Sequence, residues 1–389
     1  MKSLFISLIF LFGCSRPDVA NLEEKPKNAA SATVDVVEDT TPLHEACLSG
    51  RIDVVRSLIA NRVNLNAKNC YDATPLGYAV LRKHYAIAEL LLKNGASPHG
   101  IVTTNTVYHR SALAEAIFQN NRKMIALLKK YGADINHKDE DGNTDMHRIS
   151  HIGSDDVEKL LTAGADVNAK NFFGATAFFY LPSSFQVGVS EIGKIVEILK
   201  KYGANINEFH EGTPLTVATY NHDTDKTEIL LQNGANPELG WGTTSIPPLN
   251  IAAKTGNLEM VMLLIKYGAS IETSDTWGIT PLLSAASCGE YQPVPFSYVH
   301  FKDEYLKIVQ LLIDRGAKVN VTEKYGNTPL LCAVRANYKE MVELLLKNGA
   351  KIDVMNQAKE TPLSIAQKQK NKEIQKILEN ALQLQKLAL

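Results

Sequence analysis

Residues 328–360 read TPLLCAVRANYKEMVELLLKNGAKIDVMNQAKE, and at Thr361-Pro362-Leu363 the same order of apolar and polar positions begins again. Leu330, Ala333 and Val334 follow at helical spacing, which predicts a short helix opening at Pro329. Thr328 offers a hydroxyl cap, and Pro329 suits the first helical position because its missing N–H would be unpaired there. After a polar turn around Asn337, Met341, Val342, Leu344, Leu345 and Leu346 form the apolar stripe of a second helix. Gly349 supplies the left-handed residue that ends it, and Lys351-Ile352-Asp353 runs out as an extended arm into the next unit. One such unit cannot bury its own apolar face, so neighbours must stack into a continuous core.

The capping position recurs at Thr41, Thr74, Ser111, Thr144, Thr176, Thr213, Pro247, Thr280, Thr328 and Thr361, with spacings of 33, 37, 33, 32, 37, 34, 33, 48 and 33. The closing glycine recurs at Gly95, Gly132, Gly164, Gly203, Gly234, Gly268, Gly316 and Gly349, while Arg62 stands there in the first copy at some cost to the helix end. Thr41-Pro42-Leu43-His44-Glu45-Ala46, Gly50, Leu58-Ile59, and the phrases Gly132-Ala133-Asp134-Ile135-Asn136 and Gly164-Ala165-Asp166-Val167-Asn168 resemble the ankyrin repeat. The resemblance covers about residues 41–380 in ten tandem matches. It implies an all-α repeat solenoid of about ten stacked, curved units, each two antiparallel helices and a projecting β-hairpin. It also implies binding of partners through hairpin tips and the concave helix face, with no catalysis. Asp145-Met146 in the fourth copy and Ala177-Phe178 in the fifth depart from Pro-Leu, marking those units as the least regular.

Departures from the regular spacing place the insertions. Thr176 to Gly203 is 27 residues where 21 is usual, so six extra residues sit between the helices near 182–187. Thr280 to Gly316 is 36, so fifteen extra residues sit at 289–303, GEYQPVPFSYVHFKD. A four-residue excess falls in the hairpin near His99–Arg110. The 289–303 insert carries Tyr291, Phe296, Tyr298 and Phe301, and Pro293 and Pro295 keep it out of regular structure. It reads either as a recognition loop or as a loop folding its aromatics onto the neighbouring helices. A second aromatic series lies at the hairpin tips: Tyr71, Phe172, Phe173, Phe209, Trp241, Trp277 and Tyr325. Such residues dominate binding hot spots, and the alternative is packing of each against the next hairpin.

Composition narrows the classes. The 389 residues are 45% apolar with a formal charge of −1, a balance that argues against nucleic acid, which wants a basic stripe. Met1-Lys2-Ser3, the apolar run Leu4 to Phe12 and Gly13-Cys14 describe a secretory signal too short to span a membrane. Leu11-Phe12-Gly13-Cys14 resembles the lipobox of bacterial lipoproteins, which implies acylation of Cys14; Phe12 departs from the small or β-branched residue of that pattern. The other reading is an apolar N-terminus on a cytosolic protein. Residues 1–13 are thus expected to be a signal peptide, 14–40 a flexible tether of about 25–30 Å reach, and 381–389 an apolar tail folding back as a cap.

Chemistry is sparse. His147 and His151 stand at i and i+4, but a zinc protease would need glutamate in place of Arg148. Asp139-Glu140-Asp141-Gly142 lacks the bidentate glutamate of a calcium loop and reads as a polar hairpin tip. Cys47, Cys70, Cys288 and Cys332 are read as free thiols. The expectation is therefore a monomeric, cofactor-free scaffold that binds an unidentified protein, lipid-anchored in a bacterial cell envelope. The rivals are a cytosolic or host-delivered ankyrin effector and, more distantly, a metal-dependent enzyme resting on the two histidines.

Overall fold

Each Thr-Pro-Leu phrase opens a helix for a local reason. Thr328 is extended, at φ −98° and ψ 164°, and its hydroxyl accepts the Leu331 N–H at 3.2 Å before the helix Pro329–Arg335. A second helix, Lys339–Lys347, buries Met341, Val342 and Leu345 and returns antiparallel to the first. The computed structural model describes residues 40–103, 109–184, 186–287 and 302–387, and within them this pair is repeated ten times.

The left-handed turn that ends the second helix is glycine in nearly every unit, with φ between +84° and +101° from Gly95 to Gly349. A Cβ at these positions would meet nothing within 4 Å, so backbone conformation rather than room selects glycine. Arg62 adopts the same turn at φ +56°.

Stacking is pinned by a side-chain ladder. Asn136 donates to the Gly164 carbonyl at 3.1 Å and accepts the Asp166 N–H at 2.7 Å, so one amide satisfies two backbone groups of the next unit. Asn320 does the same toward Gly349 and Lys351. Above the ladder one apolar core runs unbroken from Leu43 to Leu378. Leu283, Ala286 and Cys332 form a small separate cluster beside it.

Units four and five break the pattern. In unit four the first helix is a 3-10 helix, Asp145–His151, with Arg148 off helical geometry at φ −114° and ψ 18°. Thr144 stands twenty residues before Gly164 instead of twenty-one. A 3-10 helix rises about 2.0 Å per residue against about 1.5 Å in an α-helix, so overwinding crosses the same depth with one residue fewer. In unit five the 3-10 helix Ala177–Tyr180 stops before Pro182, which forces Leu181 to φ −55° and ψ 137°. The Ser184 N–H and hydroxyl then donate to the Asp223 carboxylate at 3.1 and 2.9 Å, holding this insert against unit six.

Both inter-helix inserts also lengthen the helix that follows. Val189–Lys201 and Lys302–Asp314 have 13 residues where regular second helices have 9. The added turn reaches back one unit each time. The Glu191 carboxylate accepts the Ser154 N–H at 2.6 Å, and the Tyr305 hydroxyl donates to the Lys254 carbonyl at 2.9 Å. The loop expected over 289–303 is corrected accordingly, since Lys302 and Asp303 are helical.

Two other expectations meet a structure. The four-residue excess is a paired hairpin, with Ile101–Thr103 antiparallel to His109–Ser111 and Val102 opposite Arg110. The tail does not fold back at 381. Helix Lys372–Leu387 continues straight through it, with Ala381 and Leu382 packed on the core and Leu384 exposed.

Candidate functional site

Several hairpin tips owe their shape to one acceptor side chain each. The Asp275 carboxylate accepts the Trp277 and Ile279 N–H groups, both at 2.9 Å, closing a tight turn that presents Trp277. Asn69 does this for Tyr71 and Ala73, Asn171 for Phe173 and Ala175, and Glu323 for Tyr325 and Asn327. Backbone bonds join successive tips: Phe172 N–H to Asp141 carbonyl at 3.0 Å, Lys324 N–H to Trp277 carbonyl at 2.8 Å and Gln357 N–H to Tyr325 carbonyl at 2.9 Å.

The tip aromatics divide into two kinds. Phe172 is 71% exposed, Phe209 54% and Tyr325 50%, so these rings project into solvent. Phe173 and Trp277 lie near the lower edge of exposure. Trp277 and Tyr325 come together from adjacent tips with centroids 5.9 Å apart, and the Lys324 ammonium sits 4.9 Å from the indole. Trp241 is half-buried instead. Its ring lies 5.5 Å from Tyr220, and its backbone exchanges two hydrogen bonds with Ile246, at 2.8 and 2.9 Å. Tyr71 is half-buried as well, with its carbonyl accepting the Thr103 hydroxyl at 2.8 Å. Tyr291, Phe296, Tyr298, Phe301 and Cys14 lie outside the described residues. Met355, 57% exposed beside the last tip, is a further apolar group there that the aromatic series does not include, and its signal in the sequence is its place next to the turn residue Asn356.

The two histidines of unit four stand on a 3-10 segment kinked at Arg148, and both line the cavity over this unit. His147 is buried at 3% exposure, with Nδ1 against the Thr144 N–H at 3.0 Å and Nε2 at 3.0 Å from the Ala175 carbonyl. Burial lowers its pKa, as it does for the equivalent His44. Among the described residues no group of three or more His, Cys, Asp or Glu side chains is arranged to hold a metal ion. The tip at 139–142 is an internally satisfied turn. Burial alone would raise the Asp139 carboxyl, but the Asn143 and Asp141 amides and the Arg148 guanidinium together hold it below the usual range. Cys47 and Cys332 are buried and Cys70 is exposed; burial pushes the Cys47 thiol up to about 12.

A second feature lies on the face of the first helices. Over unit four there is a cavity of about 320 Å³ with Phe118 of unit three on one side and Tyr180 of unit five on the other. His109, His147, Arg148, Ser150, His151 and Leu160 stand among the other lining groups. Burial, and after it the charge of Arg148, lowers the pKa of His109.

A stack of paired helices with linked tips defines a helical repeat scaffold. Family models described as "Ankyrin repeats (3 copies)" match residues 17–102 and 298–385, and "Ankyrin repeats (many copies)" match 249–294, together more than half of the chain. The chain belongs to the ankyrin-repeat family, whose members are in general non-catalytic binding scaffolds. It is 28% identical to ankyrin repeat domain-containing protein SAT10 of Stachybotrys chartarum over 58% of this chain and 11% of that protein. Ankyrin repeat protein nuc-2 of Neurospora crassa is 26% identical over 59% of this chain and 21% of its own length. Ankyrin repeat and SOCS box protein 3 of Bos taurus is 31% identical over 45% and 34%. The chain thus spans about a third or less of these relatives.

Proposed function

We infer that this protein is a non-catalytic scaffold that captures one protein partner along its hairpin tips and the face of its first helices. The observation that carries the reading is the series of tip rings at Phe172, Phe209 and Tyr325, which face solvent, with Trp277 set against Tyr325 on the next tip. Large apolar rings exposed on a rigid support give binding area at low entropic cost. Tyr291, Phe296, Tyr298 and Phe301 of the long insert are further candidate contacts. The sequence Leu11-Phe12-Gly13-Cys14 supports acylation of Cys14, with residues 14–40 as the tether of a monomeric repeat body at a bacterial cell envelope.

Two experiments bear on this reading. The repeat body is used as bait in envelope extract, beside a variant with Phe172, Phe209, Trp277 and Tyr325 all changed to Ser. Capture of a defined partner should fall by about tenfold or more in the variant while its circular dichroism is unchanged; equal capture would remove the tips from the site. Cys14→Ala should abolish labelling by a palmitate analogue and release the protein from membranes. A variant that still sediments with membranes would sink the anchor.

A further inference from the structure

The cavity over unit four exists because two neighbouring first helices are irregular, one overwound and one cut to four residues. Its walls are Phe118 and Tyr180, with Ile152 and Leu160 adding aliphatic surface. The volume stands at the low end of the range of about 300–1,000 Å³ typical of ligand pockets, which suits one side chain better than a cofactor.

The charges of the lining are already answered from within the protein. Arg148 meets the Asp139 carboxylate at 2.5 Å, and Arg110 forms an ion pair with Glu115 at 3.1 Å. Asp145 accepts the Ser111 N–H and hydroxyl at 2.9 and 2.6 Å. An anionic guest would find both lining guanidiniums already paired, and a cationic one would give up its hydration for a single carboxylate, Asp145, whose two oxygens are already taken up by Ser111. A neutral guest with a flat apolar body loses little on entry and gains the ring walls. One polar atom at its tip would meet the Arg148 guanidinium, which carries five N–H donors, or the ring nitrogens of His109.

We propose that this cavity receives a neutral aromatic side chain of the partner polypeptide, tyrosine before the others, as a buried anchor between units three and five. The proposal rests on the scaffold reading and adds to it the chemistry of one contact.

The test uses the full chain and saturation-transfer NMR with the N-acetyl amides of tyrosine, leucine, glutamate and lysine at millimolar concentration. N-acetyl-tyrosinamide should saturate most strongly. Ser150→Phe, which fills the cavity without touching a charge, should abolish that signal, whereas Ser150→Ala should retain it. Both variants should keep the parent's circular dichroism. A preference for the glutamate or lysine amide, no saturation by any probe, or an unchanged signal in Ser150→Phe would overturn the assignment. In the pull-down, Ser150→Phe should lower partner capture by about tenfold. Capture that survives Ser150→Phe but not the tip variant removes the anchor and leaves the scaffold; no capture by the parent removes the scaffold itself.

Discussion

Unit nine and unit four open on the same threonine and close on the same left-handed glycine, yet only one is a plain pair of α-helices. In unit nine Pro329 fixes the first helical φ and every buried position of Pro329–Arg335 is filled by proline, Leu, Cys, Ala or Val. In unit four Asp145 takes the proline's place and turns its carboxylate to Ser111 of the preceding unit. One residue is also missing before the second helix. The regular unit spends its first helix on packing; the irregular one leaves a polar-mouthed depression. The difference shows that the stack can change the surface of a unit without losing the core beneath it, since Met146 and Leu330 are each only 1% exposed.

Truncation of those two core residues tests the comparison hardest. Leu330→Ala and Met146→Ala should each cost about 2–5 kcal/mol, read from urea unfolding. A loss below about 1 kcal/mol at Met146 alone would mean that the overwound helix is loosely packed. The pH dependence should separate the two units next. His147 is buried neutral with a lowered pKa, whereas unit nine has Leu331 in that place. The unfolded chain therefore takes up a proton below about pH 6.5 that folded unit four resists, so its stability is whole above that pH and falls as the pH drops toward the lowered folded value. Hydrogen exchange at pH 5 and 7.5 should show amides 144–152 losing more protection than 328–336; equal losses would contradict the histidine's role. The smallest effect concerns unit seven. Pro247 has no N–H, and Asn250 Oδ1, where His44 and His147 find the threonine N–H, is buried without a partner. Pro247→Thr should supply that donor for a net gain of about 0.5 kcal/mol, after the entropic loss of proline is subtracted, in a thermal melt.

Much of this was legible before any coordinates. The recurring cap and closing turn located the units even where Ser111 or Pro247 replaces the threonine and Arg62 the glycine, because capping and left-handed turns depend on a few neighbouring atoms. Asp145-Met146 and Ala177-Phe178 marked the irregular units, and the 32-residue spacing held the reason for the 3-10 helix. The extra turns at Val189 and Lys302 were not foreseen, since spacing counts residues without saying whether they coil or loop. Nor was the fate of the tip aromatics. Trp241 and Trp277 share a local phrase, and only the neighbours Tyr220 and Tyr325 decide that one ring packs inward and the other meets the next tip.

The overwound helix of unit four has a meaning for inheritance. A lost codon in most folded domains shifts a strand or a buried face out of register. Here the capping residue and the asparagine pegs hold the pitch of the stack, and the span between the two helices absorbs the error by coiling more tightly. That span varies in length in units four, five and eight. It is therefore, beside the hairpin that takes four extra residues after unit two, a part of each tile in which the gene can gain or lose residues while the array above and below stays in step.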